Sequence, residues 1–478
     1  MSGGLPEDSG GVPSERPEPT FPSECGTSKS VMSKTNEESV QKSHDPALPA
    51  EPINLETPRT GPLSEAKLLG RKTPPLTLDV QTPAGSPPPS EYRALMGLLG
   101  GYALLTLGNG LFQTLIPLRL LNAGAAMFAV GLIQSCYYAG FMVGAVFNRR
   151  LIDRIGQHRT FVAFSSVVAI LALAFGRFES LPALALIRFM TGFAFMGLYT
   201  SIESWLNGVV RNERRGQVFG SYAAINYLAV GSGQFLLNTG DASGTAQLSI
   251  VAALFAAAIL PVTLLEGWPL RVSDAALTRM PTQTWKDSVL AMKASTPLAI
   301  PGCVLAGFLY SSFYSMTPVY LTRTGFSTAE LSAFMGTALF SALLPQWPMG
   351  RLSDTIDRRR LVYRIALTST LLSAALAVLH ERSFVWIATL AYVAVTFTQY
   401  GLIVSHVNDR TEPHRRVAIT ATLLLMFSFG GMVGPALASL LMSVIGPSGL
   451  FVFNAMASAM LAFFAARAMN SRRDLRTA

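Results

Sequence analysis

Arg150-Leu151-Ile152-Asp153-Arg154-Ile155 is written again 201 positions later as Arg351-Leu352-Ser353-Asp354-Thr355-Ile356. The register extends both ways from this pair without an insertion. Phe112 meets Phe313 and Pro117 meets Pro318 upstream, while Ser204, Asn207 and Gly233 meet Ser405, Asn408 and Gly434 downstream. A duplication of this length predicts a chain built from two matching halves.

The text around the duplication is apolar. Half of the 478 residues are hydrophobic and 14% are charged, well below the roughly 25% charged residues of an average soluble domain. Residues 1–91 differ from the rest. They hold 16 of the 29 prolines, and with so little apolar surface to bury they are expected to form a disordered, Pro-rich cytoplasmic tail.

After Glu91 come apolar runs of about 20 residues, the length that crosses a hydrocarbon core of about 30 Å at about 1.5 Å per residue. Twelve are predicted, near 94–118, 125–148, 160–177, 181–209, 217–238, 247–266, 296–321, 329–349, 361–380, 384–405, 417–441 and 446–469. Each must be helical, because an open strand edge in lipid leaves N–H and C=O groups unpaired. The expected fold class is an all-α membrane protein. Its parts are an N-terminal six-helix bundle over 92–266, a cytoplasmic connection over 267–294, a C-terminal six-helix bundle over 295–470 and a cytoplasmic tail over 471–478.

Basic residues set the expected orientation. Loops following the even-numbered spans carry 23 Lys/Arg, whereas the opposite side has Arg119, Arg177, Arg323 and Arg382. The positive-inside rule then puts both termini in the cytoplasm. The net charge of +9 reports topology, so nucleic acid is not an expected partner. Three cysteines, Cys25, Cys136 and Cys303, give neither a disulfide framework nor a metal-ligand spacing. No Walker-type loop, metal site or nucleophile motif is present, so neither a cofactor nor enzymatic activity is expected.

The duplicated loop resembles a family hallmark. In the major facilitator superfamily of secondary transporters, the loop between helices 2 and 3 reads Gly-x-Leu-x-Asp-Arg-x-Gly-Arg-Arg and is echoed between helices 8 and 9. Here the copies run from Arg149 to Arg159 and from Gly350 to Arg360; Arg149 replaces the first glycine of one, and Asp357 the second glycine of the other. Stretches such as Ser201-Ile202-Glu203-Ser204-Trp205-Leu206-Asn207 look most like the YcaD-like branch of bacterial permeases. The resemblance covers 92–470. It implies 3+3 inverted repeats within each half, alternating access in the inner membrane and a monomer among lipids.

Five features are candidates for function. Asp153 and Arg154, with Asp354 and Arg358, would latch the cytoplasmic side through charge-assisted hydrogen bonds, or would only enforce topology. Arg188, inside span 4, opens Arg188-Phe189-Met190-Thr191-Gly192, which resembles the helix 4 motif Arg-x-x-Gln-Gly of proton-coupled exporters; proton coupling and snorkelling to the outer interface both stay open. Glu203 is either a proton carrier or, being near the cytoplasmic edge, one half of a gate salt bridge to Arg154 or Arg214. Gly430-Gly431-Met432-Val433-Gly434-Pro435 suits helix packing or exporter mechanics. The resemblance implies solute contacts from polar mid-span groups of helices 1, 4, 7 and 10: Asn109, Gln113, Tyr310, Ser311, Tyr314, Ser315, Thr396, Thr398, Gln399 and Tyr400. Gln134, Tyr138, Asn226 and Gln346 are secondary.

These expectations describe a secondary active transporter of a small neutral or amphipathic solute, exporting it with protons as the coupling ion. A transporter-like receptor or scaffold without net flux is the alternative.

Overall fold

The computed structural model describes residues 89–210, 214–240, 244–264, 296–412 and 415–470, and its regular structure there is helical throughout. The bulk of the expected 1–91 tail, the 267–294 connection and the 471–478 tail lie outside the described residues.

In the first half, α1 runs Pro89–Asn122, α2 Met127–Ile155, α3 Gln157–Phe175 and α4 Leu181–Val209. Then come α5 at Arg215–Phe235, continued by a 3-10 turn at Leu236–Thr239, and the pair α6, Ala246–Ala257, and α7, Ile259–Leu264. The second half comprises α8 (Ala299–Arg323), α9 (Thr328–Leu343), α10 (Gln346–Thr355) and α11 (Arg358–Val378). It closes with α12 (Arg382–Thr396), α13 (Gln399–Asn408), α14 (Arg416–Ile445) and α15 (Gly449–Asn470).

Among the described residues, ten helical stretches are long and apolar enough to cross a membrane. The expected spans 217–238 and 329–349 are helical but are not among the ten. Arg215, Gln217, Asn226 and Gln234 dilute the first. The second is cut after Leu343, where Pro345 can supply no backbone N–H to continue the ladder. A further break separates α12 from α13, with Thr398 turning its hydroxyl back onto the Val395 carbonyl at 2.7 Å.

The 201-residue echo has a packing cause. A Cβ on Gly233 would stand 2.1 Å from the Leu107 carbonyl oxygen, and one on Gly434 would stand 3.0 Å from the Phe308 backbone. Leu107 and Phe308 are themselves 201 apart, so each half seats its fifth long helix on its first through the same glycine. Gly430, a Cβ on which would lie 2.0 Å from the Val304 oxygen, extends that seat in the second half. The glycine-rich run of α14 thus packs helices, by the close approach that small residues permit.

The two loop copies also explain their differences. Gly156 sits between α2 and α3 at φ 85°, a conformation that disfavours side chains. Its counterpart Asp357 has φ −53° and caps α11, accepting from the Arg359 backbone N–H at 2.9 Å. No glycine is needed there. Asp357 also binds the Arg359 guanidinium at 2.7 Å, and that guanidinium donates to the Ala468 carbonyl at 2.8 Å, tying α11 to α15.

Hydrogen bonds from Arg359 hold the Asp357 carboxyl down at about 2, against about 3.9 in an unfolded chain. A depressed acid stabilises the fold above the unfolded value and loses that contribution as pH falls through the folded one. Asp357→Asn keeps a capping oxygen but loses the charge. It is expected to cost about 1 kcal/mol near neutrality, discounted for a half-exposed carboxylate. The gap from wild type should close between about pH 4 and pH 2, as read by unfolding in detergent across that range.

Candidate functional site

Helices of both halves surround one cavity of about 370 Å³. On α2 and α4 the positions are set by a glycine pair: a Cβ on Gly140 would meet the Phe189 oxygen at 1.8 Å, and one on Gly192 the Tyr137 oxygen at 1.8 Å. This backbone contact brings Arg188, one turn before Gly192, against Tyr137.

Arg188 is 1% exposed. One guanidinium nitrogen donates to Gln113 Oε1 at 2.7 Å, and the group lies over the Tyr137 ring at 4.7 Å. Its Nε and Nη1 have no hydrogen-bond partner. Snorkelling is therefore not what this side chain does: it is enclosed, with Gln113 and Tyr137 standing between it and the cavity they line.

At the other end, toward the arginine-rich loops, Glu203 lines the same cavity. It is exposed and accepts from the Tyr222 hydroxyl at 3.5 Å. Among the described residues it makes no ion pair with Arg154 or Arg214, contrary to the gate bridge expected of it. The two arginines are exposed at the helix ends, whereas Glu203 turns inward to the tyrosines. Tyr222 stacks on Tyr102 with centroids 4.3 Å apart, and the Tyr102 hydroxyl donates to Asn226 at 3.0 Å.

Of the expected solute contacts, Asn109, Gln113, Tyr310, Tyr314 and Tyr400 line the cavity, as do Tyr138 and Asn226. Gln134, Ser311, Ser315, Thr396, Thr398 and Gln399 do not. Each is under 5% exposed; Gln399 donates to Ser369 on α11 at 3.1 Å. Mid-span position fixes depth, but each residue turns the side chain by about 100°, so depth leaves direction open. Gln346 reaches Tyr227, which lines the cavity, at 3.3 Å.

The tyrosines were the larger omission. Nine of the chain's 13 tyrosines line this space, Tyr102, Tyr137, Tyr199, Tyr222 and Tyr227 among them. A signal existed in α5, where Tyr222, Ala223, Asn226, Tyr227 and Val230 form one helical stripe that faces the cavity.

The cavity ends where the halves meet. A Cβ on Gly131 would stand 2.0 Å from Ser439 Oγ, and one on Gly336 would stand 3.1 Å from the Gly231 oxygen. Asn238 donates to Ser332 at 3.1 Å, and Ser332 to the Gln234 carbonyl at 2.9 Å. These contacts lie toward the arginine-poor ends of α2, α5, α9 and α14.

The loop copies are unequal. Arg358 binds Asp354 at 3.3 Å, also pairs with Asp409, and donates to the Ser353 carbonyl at 3.3 Å. It thereby joins α10, α11 and α13. Asp153 in the first copy is exposed and has no such ion pair among the described residues.

Comparisons with known proteins agree with this geometry. The family model of the Major Facilitator Superfamily matches residues 98–408 and 346–477. An uncharacterized MFS-type transporter YcaD of Salmonella heidelberg is 28% identical over 369 residues, covering 77% of this chain and 93% of its own length. YcaD of Salmonella typhi matches to the same extent. Among solved structures, the nucleoside transporter NupG superposes with a TM-score of 0.64 at 14% identity, over 80% of this chain and 99% of its own. A bacterial homologue of the human lysosomal transporter Spinster, inward-facing and unoccupied, also gives 0.64 at 14% identity, over 80% of this chain and 96% of its own.

Proposed function

The chain belongs to the Major Facilitator Superfamily, and from that premise we propose a proton-coupled exporter of a small neutral or amphipathic solute in the inner membrane. A secondary transporter is the class to which its relatives point. The observation that carries the finer reading is the cavity, formed by both halves, closed toward the arginine-poor ends and reaching Glu203 toward the arginine-rich ones. With both termini and the arginine-rich loops cytoplasmic, this is an inward-facing state.

Adding α5 with its 3-10 turn and the interrupted α9–α10 pair to the ten apolar stretches gives twelve spans, six in each half, each half read as a 3+3 inverted repeat. The two bundles rock about the cavity. The Arg358 cluster, with its first-half counterpart at Asp153 and Arg154, latches the cytoplasmic ends when they close, and Arg188 couples the motion to protons.

Proteoliposomes loaded with a pH-sensitive dye, challenged with nucleosides, sugars and amphipathic amines, test the reading. At least one solute is expected to cross and to drain an imposed pH gradient as it does so. A solute that binds but never crosses would leave only a receptor.

A further inference from the structure

Among the described residues that line the cavity Glu203 is the one with a charge, and its surroundings are suited to a particular ligand chemistry. Its carboxylate accepts one hydrogen bond among the described residues, the long one from Tyr222 at 3.5 Å. Around it stand aromatic faces: Tyr222 and Tyr102 stacked at 4.3 Å, Tyr199 edge-on to Tyr102 at 6.4 Å, and Phe141 at 6.1 Å from Tyr199. The opposite wall presents Tyr400 and Phe427 at 4.6 Å. Aromatic faces carry negative electrostatic potential and attract cations. An anion would meet those faces and an unpaired carboxylate together.

A second observation points the same way. The carboxamide oxygen of Asn109, on the cavity wall, is buried without a donor. It can accept from an N–H on a bound solute.

Arg188 does not cancel this field. It lies fifteen residues before Glu203 on α4, about 22 Å along the helix, behind Gln113 and Tyr137. An anion could reach it only by displacing both.

We propose that the cavity selects a monovalent organic cation with an apolar body, Glu203 serving as its counter-ion and the Tyr102, Tyr199 and Tyr222 rings contacting its charged head. This deepens the reading of the cavity as a solute site and rests on it, but it is decided by binding, apart from flux.

The test uses the full chain in detergent at pH 8 and equilibrium dialysis of two probes of nearly equal shape, tetraphenylphosphonium and tetraphenylborate. Tetraphenylphosphonium is expected to bind saturably and at least about tenfold more tightly than tetraphenylborate, as paired opposite charges in a partly desolvated site require. Glu203→Gln should remove at least about tenfold of the cation's affinity and narrow the gap, Glu203→Asp should fall between, and both variants should unfold at the wild-type temperature. Equal affinity for the two probes, no saturable cation binding, or cation affinity unchanged in a folded Glu203→Gln protein would each overturn the proposal. Cation binding without any flux would count against transport and leave the cation site standing; flux of a neutral solute without cation binding would do the reverse.

Discussion

Replacing Gly131 with leucine will hold the arginine-poor ends of the two halves apart and reduce transport to below about a tenth of wild type. The Cβ of any side chain there would stand 2.0 Å from Ser439 Oγ, 2.4 Å from Ser439 Cβ and 2.6 Å from the Pro435 carbonyl oxygen. A hydroxyl can turn away; a backbone carbonyl within α14 cannot. Overpacking of this kind costs about 1–3 kcal/mol, and each 1.4 kcal/mol shifts a two-state equilibrium about tenfold. Because α2 and α14 belong to different halves, the clash is relieved by separating them, so the fold survives while the state closed at the arginine-poor ends is lost. Initial flux rates in proteoliposomes read the effect. Gly140→Leu, whose Cβ would meet the Phe189 carbonyl inside one half at 1.8 Å, has no such escape and should fail to accumulate as folded protein.

Arg188→Met is expected to raise stability and abolish pH-driven flux together. The guanidinium is enclosed at 1% exposure with one hydrogen bond and two unpartnered nitrogens. A buried charge without a counter-ion costs several kcal/mol. Its contact with Tyr137 at 4.7 Å returns about 2 kcal/mol. Methionine fills much of the same volume without the charge, and leaves Gln113 Oε1 unpaired at about 1 kcal/mol. The balance predicts a gain of about 1–3 kcal/mol in resistance to unfolding, with flux under a pH gradient at least about tenfold lower. A variant that unfolds more readily yet transports normally would make Arg188 a structural residue.

The architecture was legible because its signals are long. Apolar runs and the repeat register each average over many positions, and Gly233 and Gly434 turn out to do the same job on α1 and α8. The helix breaks were half legible. Pro345 marks one plainly, whereas the break at Phe397 and Thr398 carries no proline.

The site was legible in depth and not in direction. Asn109 and Tyr310 reach the cavity while Gln134 and Gln399, also polar and also within spans, are buried away from it. Which face turns inward depends on how each helix is seated, and Gly140 against Gly192 is a pairwise contact that neither glycine reveals alone. Glu203 shows the same limit. Counting residues from Leu181 places it near the cytoplasmic edge, but only its neighbours Tyr102 and Tyr222 show that it faces the cavity rather than the loop arginines.

Rocking of the two halves about one cavity can be tested without knowing the solute. With the native cysteines replaced, spin labels are placed in one sample at Phe128 and Val444, exposed near the arginine-poor ends of α2 and α14, and in another at Ile155 and Arg416, exposed near their arginine-rich ends. Pulsed dipolar distances are predicted to fall into two populations that change in opposite senses at the two ends. Gly131→Leu should move both samples toward long distances at the arginine-poor ends and short ones at the arginine-rich ends. A single fixed distance at each end, indifferent to Gly131→Leu, or two ends that lengthen together, would contradict it.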